Sequence, residues 1–239
     1  MNEILEPHVI FIADLHLLAA APRKTKNFIK FLAEIASQAD ALYILGDFFD
    51  IWLGDDDQNE FITIIKQALR NHTVQHAVYL LPGNRDFLLG KQFAKDTGVK
   101  LLYDPTLIDL YGNPTLLLHG NKECSNSLIH NIYLKVVYNQ LFQRLFTNLL
   151  PLMFRQKLAN KMRKISVEAN RKKTSTIKKL NREKVLALKN KYHPTQLIYG
   201  HLHLSNQYQE LGINCFSLPA WDDEATPYLY ISATQQEFA

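Results

Sequence analysis

Residues 8–16 read His8-Val-Ile-Phe-Ile-Ala-Asp14-Leu-His16, an apolar run that breaks into two side chains with lone pairs, one residue apart. A short run rich in Val and Ile, stopped by polar residues, predicts a buried strand. The pattern recurs four times. Ala41-Leu-Tyr-Ile-Leu runs into Gly46-Asp47, and His76-Ala-Val-Tyr-Leu-Leu into Pro82-Gly-Asn84-Arg85-Asp86. Thr115-Leu-Leu-Leu runs into His119-Gly120, and Gln196-Leu-Ile-Tyr into Gly200-His201-Leu-His203. Between the first two runs, from Thr25 to Ala39, Phe28, Phe31, Leu32 and Ile35 fall at helical spacing. Between the next two, from Glu60 to Arg70, so do Phe61, Ile64, Ile65, Ala68 and Leu69. Alternating strands and helices predict an α/β fold with helices over the sheet faces. Polar residues just past the C-terminal ends of such strands collect on one edge, where ligands bind.

Composition sets the outer bounds. With 47% apolar and 21% charged residues, 9 Gly and 9 Pro, the 239-residue chain is neither collagen-like, low-complexity nor largely disordered. Its length suits one large domain, or one domain carrying an insertion. Two cysteines, Cys124 and Cys215, cannot build a disulfide framework, which favours a reducing compartment. No run approaches the 18 apolar residues of a spanning helix, and Met1-Asn-Glu-Ile-Leu-Glu-Pro lacks the basic-then-apolar pattern of a secretory signal. A cytoplasmic protein is expected.

The stretch from about Ser125 to Lys191 breaks the strand–helix rhythm. Ile132, Val136, Leu141, Leu145, Leu149, Phe154, Leu158 and Met162 form an apolar stripe interrupted at Pro151, which predicts a helical insertion between the fourth and fifth strands, a cap over the strand ends. The expected division is a core of 1–124 and 192–239 with a cap of 125–191. From Arg155 to Lys191 there are fourteen Lys and Arg against Glu168 and Glu183, a local +12 that leaves the rest of this +4 chain at −8. A basic segment on an acidic body is either a solvated helix face or a docking surface for phosphate, nucleic acid or an acidic membrane. The last forty residues alternate weakly and predict a further small antiparallel sheet.

Any one of these strand ends is an ordinary cap or turn. Five in order, D-x-H, G-D, G-N-R-D, H-G and G-H-x-H, point to a shared site. Neutral imidazole and carboxylate suit Mn, Fe, Zn or Ni, and the absence of cysteine argues against structural zinc. On an extended strand the period of two would aim Asp14 and His16 to one side, and likewise His201 and His203. An Asp at the end of a central strand, Asp47, can offer one oxygen to each of two metals.

The ordered motifs resemble those of the calcineurin-like metallophosphoesterases. That resemblance implies two packed β-sheets flanked by helices, with two divalent metals at the strand ends. One metal would be held by Asp14, His16, Asp47 and His203, the other by Asp47, Asn84, His119 and His201. Arg85 would stabilise charge on phosphoryl oxygens, and catalysis would rest on Asp47, Asn84, Arg85 and His119. The stretches 12–17, 39–47, 52–57 (Trp-Leu-Gly-Asp-Asp-Asp) and 83–91 look like one branch, the UDP-2,3-diacylglucosamine pyrophosphohydrolases of lipid A biosynthesis. So do Met162-Arg163, Ser166, Glu168-Ala-Asn170 and Lys173 in the insertion. This branch implies Mn²⁺, water attack at the α-phosphorus, release of UMP and the acylated sugar 1-phosphate, and peripheral contact with the anionic cytoplasmic face of the inner membrane. Substrate contacts would come from Asn84, Arg85, Ser127, Ser166, Asn170, Lys173 and His201.

Three departures lie on the substrate side. Asn121 stands where the branch has Asp, Ser127 where it has an acidic residue, and Leu204-Ser205 where it has a basic residue and proline. None is an expected metal ligand, so they bear on the substrate rather than the chemistry. A related phosphoesterase acting on another nucleotide-linked or lipid-linked phosphate is the alternative. A nuclease is a third reading, and it is disfavoured because residues 156–191 contain no aromatic side chain on which bases would stack.

Overall fold

The computed structural model describes residues 6–124, 128–159, 161 and 179–239. Two mixed sheets pack face to face. The first has the order β11-β10-β1-β2-β3-β4, the second β5-β6-β7-β9-β8. In the first, β1 (His8–Ile12), β2 (Ala41–Leu45), β3 (Ala77–Leu81) and β4 (Lys100–Leu101) run parallel. Each crossover carries a helix: α1 (Pro22–Glu34), α2 (Glu60–Thr73) and α3 (Lys91–Thr97). The second sheet places β6 (Asn113–Leu118), β7 (Gln196–Tyr199) and β9 (Ile213–Ser217) parallel, with β5 (Thr106–Leu110) and β8 (Asn206–Glu210) antiparallel at its edges.

The apolar runs are continuous because both faces of the central strands are covered. Every residue of β1 and β7 is buried. One side of the first sheet (Ile10, Ile12, Leu42, Ile44, Leu80) meets Phe28, Phe31 and Leu32 of α1 and Ile62, Ile65 and Leu69 of α2. Its other side (Val9, Phe11, Leu45, Leu81) meets Leu117, Ile198 and Phe216 of the second sheet. Helix α2 starts where Asn59 caps it, its side chain accepting from Ile62 N at 3.0 Å. The hairpins β5–β6 and β8–β9 turn on Tyr111-Gly112 and Leu211-Gly212. All four residues have positive φ, as a two-residue turn matched to strand twist requires.

The C-terminal forty residues do not form a separate sheet. β8 and β9 join the second sheet, while β10 (Leu229–Ser232) pairs antiparallel with β1 and carries β11 (Gln236–Phe238) at the first sheet's edge. The fully buried Leu229 and nearly buried Ile231 explain this, since they complete the core between the sheets.

The insertion holds α4 (Leu128–Val137), α5 (Gln140–Leu149) and a helical stretch over 152–159, α6. Its apolar stripe stays exposed: Ile132, Leu141, Leu149, Met153 and Phe154 each keep more than half their surface. Helix α7 (Arg182–Tyr192) belongs with the second sheet, where Leu180 and Val185 pack on Leu116, Leu197 and Cys215, so the core reaches back to at least residue 180. Among the described residues no helix is long and apolar enough to cross a membrane.

Candidate metal centre

Parallel strands put their C-terminal ends on one edge, and the two sheets meet at that edge. Loops after β1, β2 and β3 bring Asp14, His16, Asp47, Asn84 and Arg85 from one side. Loops after β6 and β7 bring His119, His201 and His203 from the other. Two three-residue groups result, Asp14–His16–His203 and Asp47–His119–His201, each with one ligand atom per residue and all within 4.8 Å of one another. Asn84 joins the second group, its Oδ1 lying 3.1 Å from His119 Nε2.

The seven expected ligands are thus gathered, although not for the reason an extended strand suggests. β1 ends at Ile12, and Asp14 and His16 sit beyond it at φ +55° and +48°. Asp47, His201 and His203 are also left-handed, at +50°, +68° and +57°. Such backbone is costly for residues with a Cβ and clusters at functional sites. It is held by hydrogen bonds between loops: Asp14 N donates to Gly46 O, His16 N to Asp47 O and Gly200 N to His119 O, all at 3.0–3.1 Å.

The carboxylates are divided between scaffold and site. Asp14 Oδ2 accepts from His201 N at 2.7 Å. Asp14 Oδ1 is buried with no aligned hydrogen-bond partner, 3.3 Å from His203 Nε2 and 3.9 Å from His16 Nε2. Burial opposes its charge, but the surrounding imidazoles of His203, His119 and His16 outweigh it and hold the carboxyl below its usual range. Asp47 Oδ1 accepts from Arg85 N at 2.9 Å and lies 3.5 Å from His119 Nε2. Burial, with Asp14 nearby, raises its pKa against the pull of His119 and Arg85. His119 Nδ1 donates to Leu45 O at 3.0 Å, which turns Nε2 toward Asn84 and Asp47. Burial disfavours an imidazolium there, yet Asp47 and Asp14 reverse the balance and raise the His119 pKa. Burial and Arg85 push His16 down to about 3, leaving a neutral imidazole.

Two buried carboxylates face four imidazoles, and the orphaned Asp14 oxygen lies between them, an arrangement that offers a cation several donor atoms at once. The donor set of imidazole, carboxylate and one amide suits a divalent first-row metal. The residues therefore fit a pair of such ions.

Arg85 stands at the rim, its Nη1 bonded to Asp50 Oδ1 at 2.7 Å and its Nε 3.5 Å from Asp47 Oδ2. Asp50, three residues past Asp47, is not picked out by the sequence motifs, and Asp86, which closes the G-N-R-D motif, is given no role by them. Asp86 is fully buried and accepts from Gly83 N (2.6 Å), Phe48 N (2.7 Å) and Phe49 N (3.2 Å), tying the Asp47 loop to the Asn84 loop. Asn121 is buried and donates at 3.2 Å to the hydroxyl of Tyr138, which directly follows α4, so it faces the insertion. Leu204 and Ser205 are exposed. Ser127, Ser166, Asn170 and Lys173, with residues 162–178 of the basic segment, lie outside the described residues.

A family model for calcineurin-like phosphoesterases matches residues 7–205. The chain is 46% identical over 197 residues to a UDP-2,3-diacylglucosamine hydrolase of Photorhabdus laumondii, covering 81% of each chain. It is 38% identical over 229 residues to the UDP-2,3-diacylglucosamine hydrolase of Haemophilus ducreyi, covering 95% of this chain and 97% of that one. A third relative, the UDP-2,3-diacylglucosamine hydrolase of Coxiella burnetii, is 42% identical over 82% of this chain.

Proposed function

The chain belongs to the calcineurin-like phosphoesterases and, within them, to the UDP-2,3-diacylglucosamine hydrolases, and from that membership we propose its reaction. It hydrolyses the diphosphate of UDP-2,3-diacylglucosamine, water entering at the α-phosphorus, to give UMP and 2,3-diacylglucosamine 1-phosphate. The observation that carries this reading is the pair of facing ligand groups at one sheet edge with a guanidinium beside them. A hydrolase of this family uses a divalent metal, and Mn²⁺ is the proposed ion.

Asp14, His16 and His203 would hold one ion and His119, His201 and Asn84 the other, with Asp47 offering an oxygen to each. When bound, such a pair supplies Lewis acidity toward phosphoryl oxygens and acidifies water. The chain's own part is positional. Asp50 aims Arg85, so that its guanidinium meets the negative charge that develops on the phosphoryl oxygens. The Leu45 carbonyl and Asn84 fix the His119 ring. Asn84, Arg85 and His201 border the reacting diphosphate, and Ser127, Ser166, Asn170 and Lys173 would contact substrate from the insertion. The outward apolar residues of α4 to α6 (Ile132, Leu141, Leu149, Met153) suit acyl chains or a peripheral seat on the anionic cytoplasmic face of the inner membrane.

Purified protein with Mn²⁺ should turn over the acylated UDP-sugar far faster than bis-p-nitrophenyl phosphate, and single-stranded DNA not at all. Turnover of the generic ester alone would overturn the substrate assignment. It would favour a different nucleotide-linked or lipid-linked phosphate, the reading that Asn121, buried and turned toward α4, supports.

A further inference from the structure

Arg155 is the one charged side chain of the described insertion residues that is almost wholly buried, at 1% exposure. It leaves α6 and enters the loop that follows Trp52, 99 positions earlier in the chain. There it satisfies most of its donors. Nη1 donates to the Leu53 carbonyl and, at 2.9 Å, to Asp56 Oδ1, while Nη2 donates to Asp56 Oδ2 and Nε to Leu150 O at 2.8 Å. A two-pronged guanidinium–carboxylate contact fixes orientation as well as distance. The receiving loop is shaped for it: Gly54 has φ +140°, and a Cβ there would overlap Arg155 Nη1. Beside Arg155, the Asp56 carboxyl sits below its usual range.

The loop has its own anchors in the core. Trp52 is buried against Phe49 and Phe93, and its backbone N donates to Arg85 O at 2.9 Å. Asp55 accepts from Trp52 Nε1, Gly90 N, Gln92 N and Phe93 N at 3.0–3.2 Å, capping α3 across the loop. The socket therefore does not need Arg155 to keep its shape, whereas the insertion does need the socket. Beyond Phe146, which packs against the core, and Gln143, which donates to Phe87 O, the faces of α5 and α6 are largely exposed.

We infer that Arg155, through its contact with Leu53 and Asp56, is the positioning residue that seats the helical insertion at a fixed height over the metal centre. It thereby sets affinity for the large acylated substrate without touching the reacting atoms. The affinity part rests on the reaction proposed above; the seating does not.

Two measurements separate these parts. In hydrogen–deuterium exchange of the full chain, Arg155→Ala should speed amide exchange over 140–159 by roughly tenfold or more, because the buried guanidinium and its hydrogen bonds to Leu53, Asp56 and Leu150 are lost. Exchange of β1 to β3 should stay as in the parent. In Mn²⁺ kinetics, KM for the acylated UDP-sugar should rise roughly tenfold, with kcat and the turnover of bis-p-nitrophenyl phosphate within about twofold. Asp56→Asn keeps one acceptor and should give a smaller effect of the same kind. Unchanged exchange over 140–159 in both variants would overturn the seating role. Faster exchange with an unchanged KM, or an equal loss on both substrates, would overturn the affinity role. If the parent fails on the acylated sugar, the proposed reaction falls, and the exchange result still decides the seating.

Discussion

The Nε2 atoms of His16 and His203 face each other at 3.2 Å although the two residues are 187 positions apart in the chain. With Asp14 Oδ1 3.3 Å from His203 Nε2 and lacking an aligned donor, three atoms that can each ligate a metal converge on one point. Such a cluster is electrostatically incomplete until a cation enters it.

Chelation should therefore lower the melting temperature and Mn²⁺ should restore it, since an ion at 100 times its Kd adds about 2.7 kcal/mol to the folded state. Asp47→Ala should bring the bound metal, read by elemental analysis, close to zero and turnover to background. A variant that keeps two equivalents of metal would remove the bridging role given to Asp47.

Gly83 lies where a Cβ would overlap both Asp47 Oδ1 and Asp47 N. Gly83→Ala must push the Asp47 loop aside, at about 1–3 kcal/mol in urea unfolding, with weaker metal binding by calorimetry. Gly112 is the control. It turns at φ +80° with nothing within 4 Å of an added Cβ, so Gly112→Ala should cost about 1 kcal/mol and leave metal affinity alone. Equal metal affinity in the two variants would refute the steric argument.

Asp86→Ala should strand the N–H groups of Phe48, Phe49 and Gly83 in the core. Several orphaned donors cost at least about 3 kcal/mol together. A loss below about 1 kcal/mol in denaturant titration would mean that Asp86 does not hold the two loops together.

His72, near the end of α2, stacks on His76, and its Nε2 has no partner among the described residues. Burial, with His76 beside it, lowers its pKa from 6.5 to about 4. The unfolded chain thus binds the proton first, so the contribution is complete above pH 6.5 and is lost as pH falls toward 4. His72→Leu should flatten the fall in unfolding free energy between pH 7 and pH 4.5. An unchanged slope would count against this burial effect.

Much of the site was legible because each ligand is announced by its strand. Val9 to Ala13, Ala41 to Leu45 and Leu197 to Tyr199 are apolar throughout, so the polar residues that follow must lie at strand ends. Asp50 and Arg155 carry no such signal, and Asp86, although it closes a strand-end motif, carries no sign of its bracing role. What marks them is the partner each meets, across 35 to 102 positions, and no local pattern encodes that separation. The C-terminal strands were misplaced for the same reason: alternation in 229–232 predicts a strand but not that β1 is its neighbour.

Local order thus determined that there are parallel strands, that helices cover them, and which side chains emerge at one edge. Those properties follow from short-range periodicity and from the burial that every central strand demands. Tertiary packing decided the rest: the left-handed turns that aim Asp14, His16, Asp47, His201 and His203, the pairing of sheet edges that brings two ligand groups together, and the seating of the insertion by a buried guanidinium. Strained backbone and buried charge are tolerated only where distant segments supply compensating hydrogen bonds. Such compensation exists only once the chain has closed on itself.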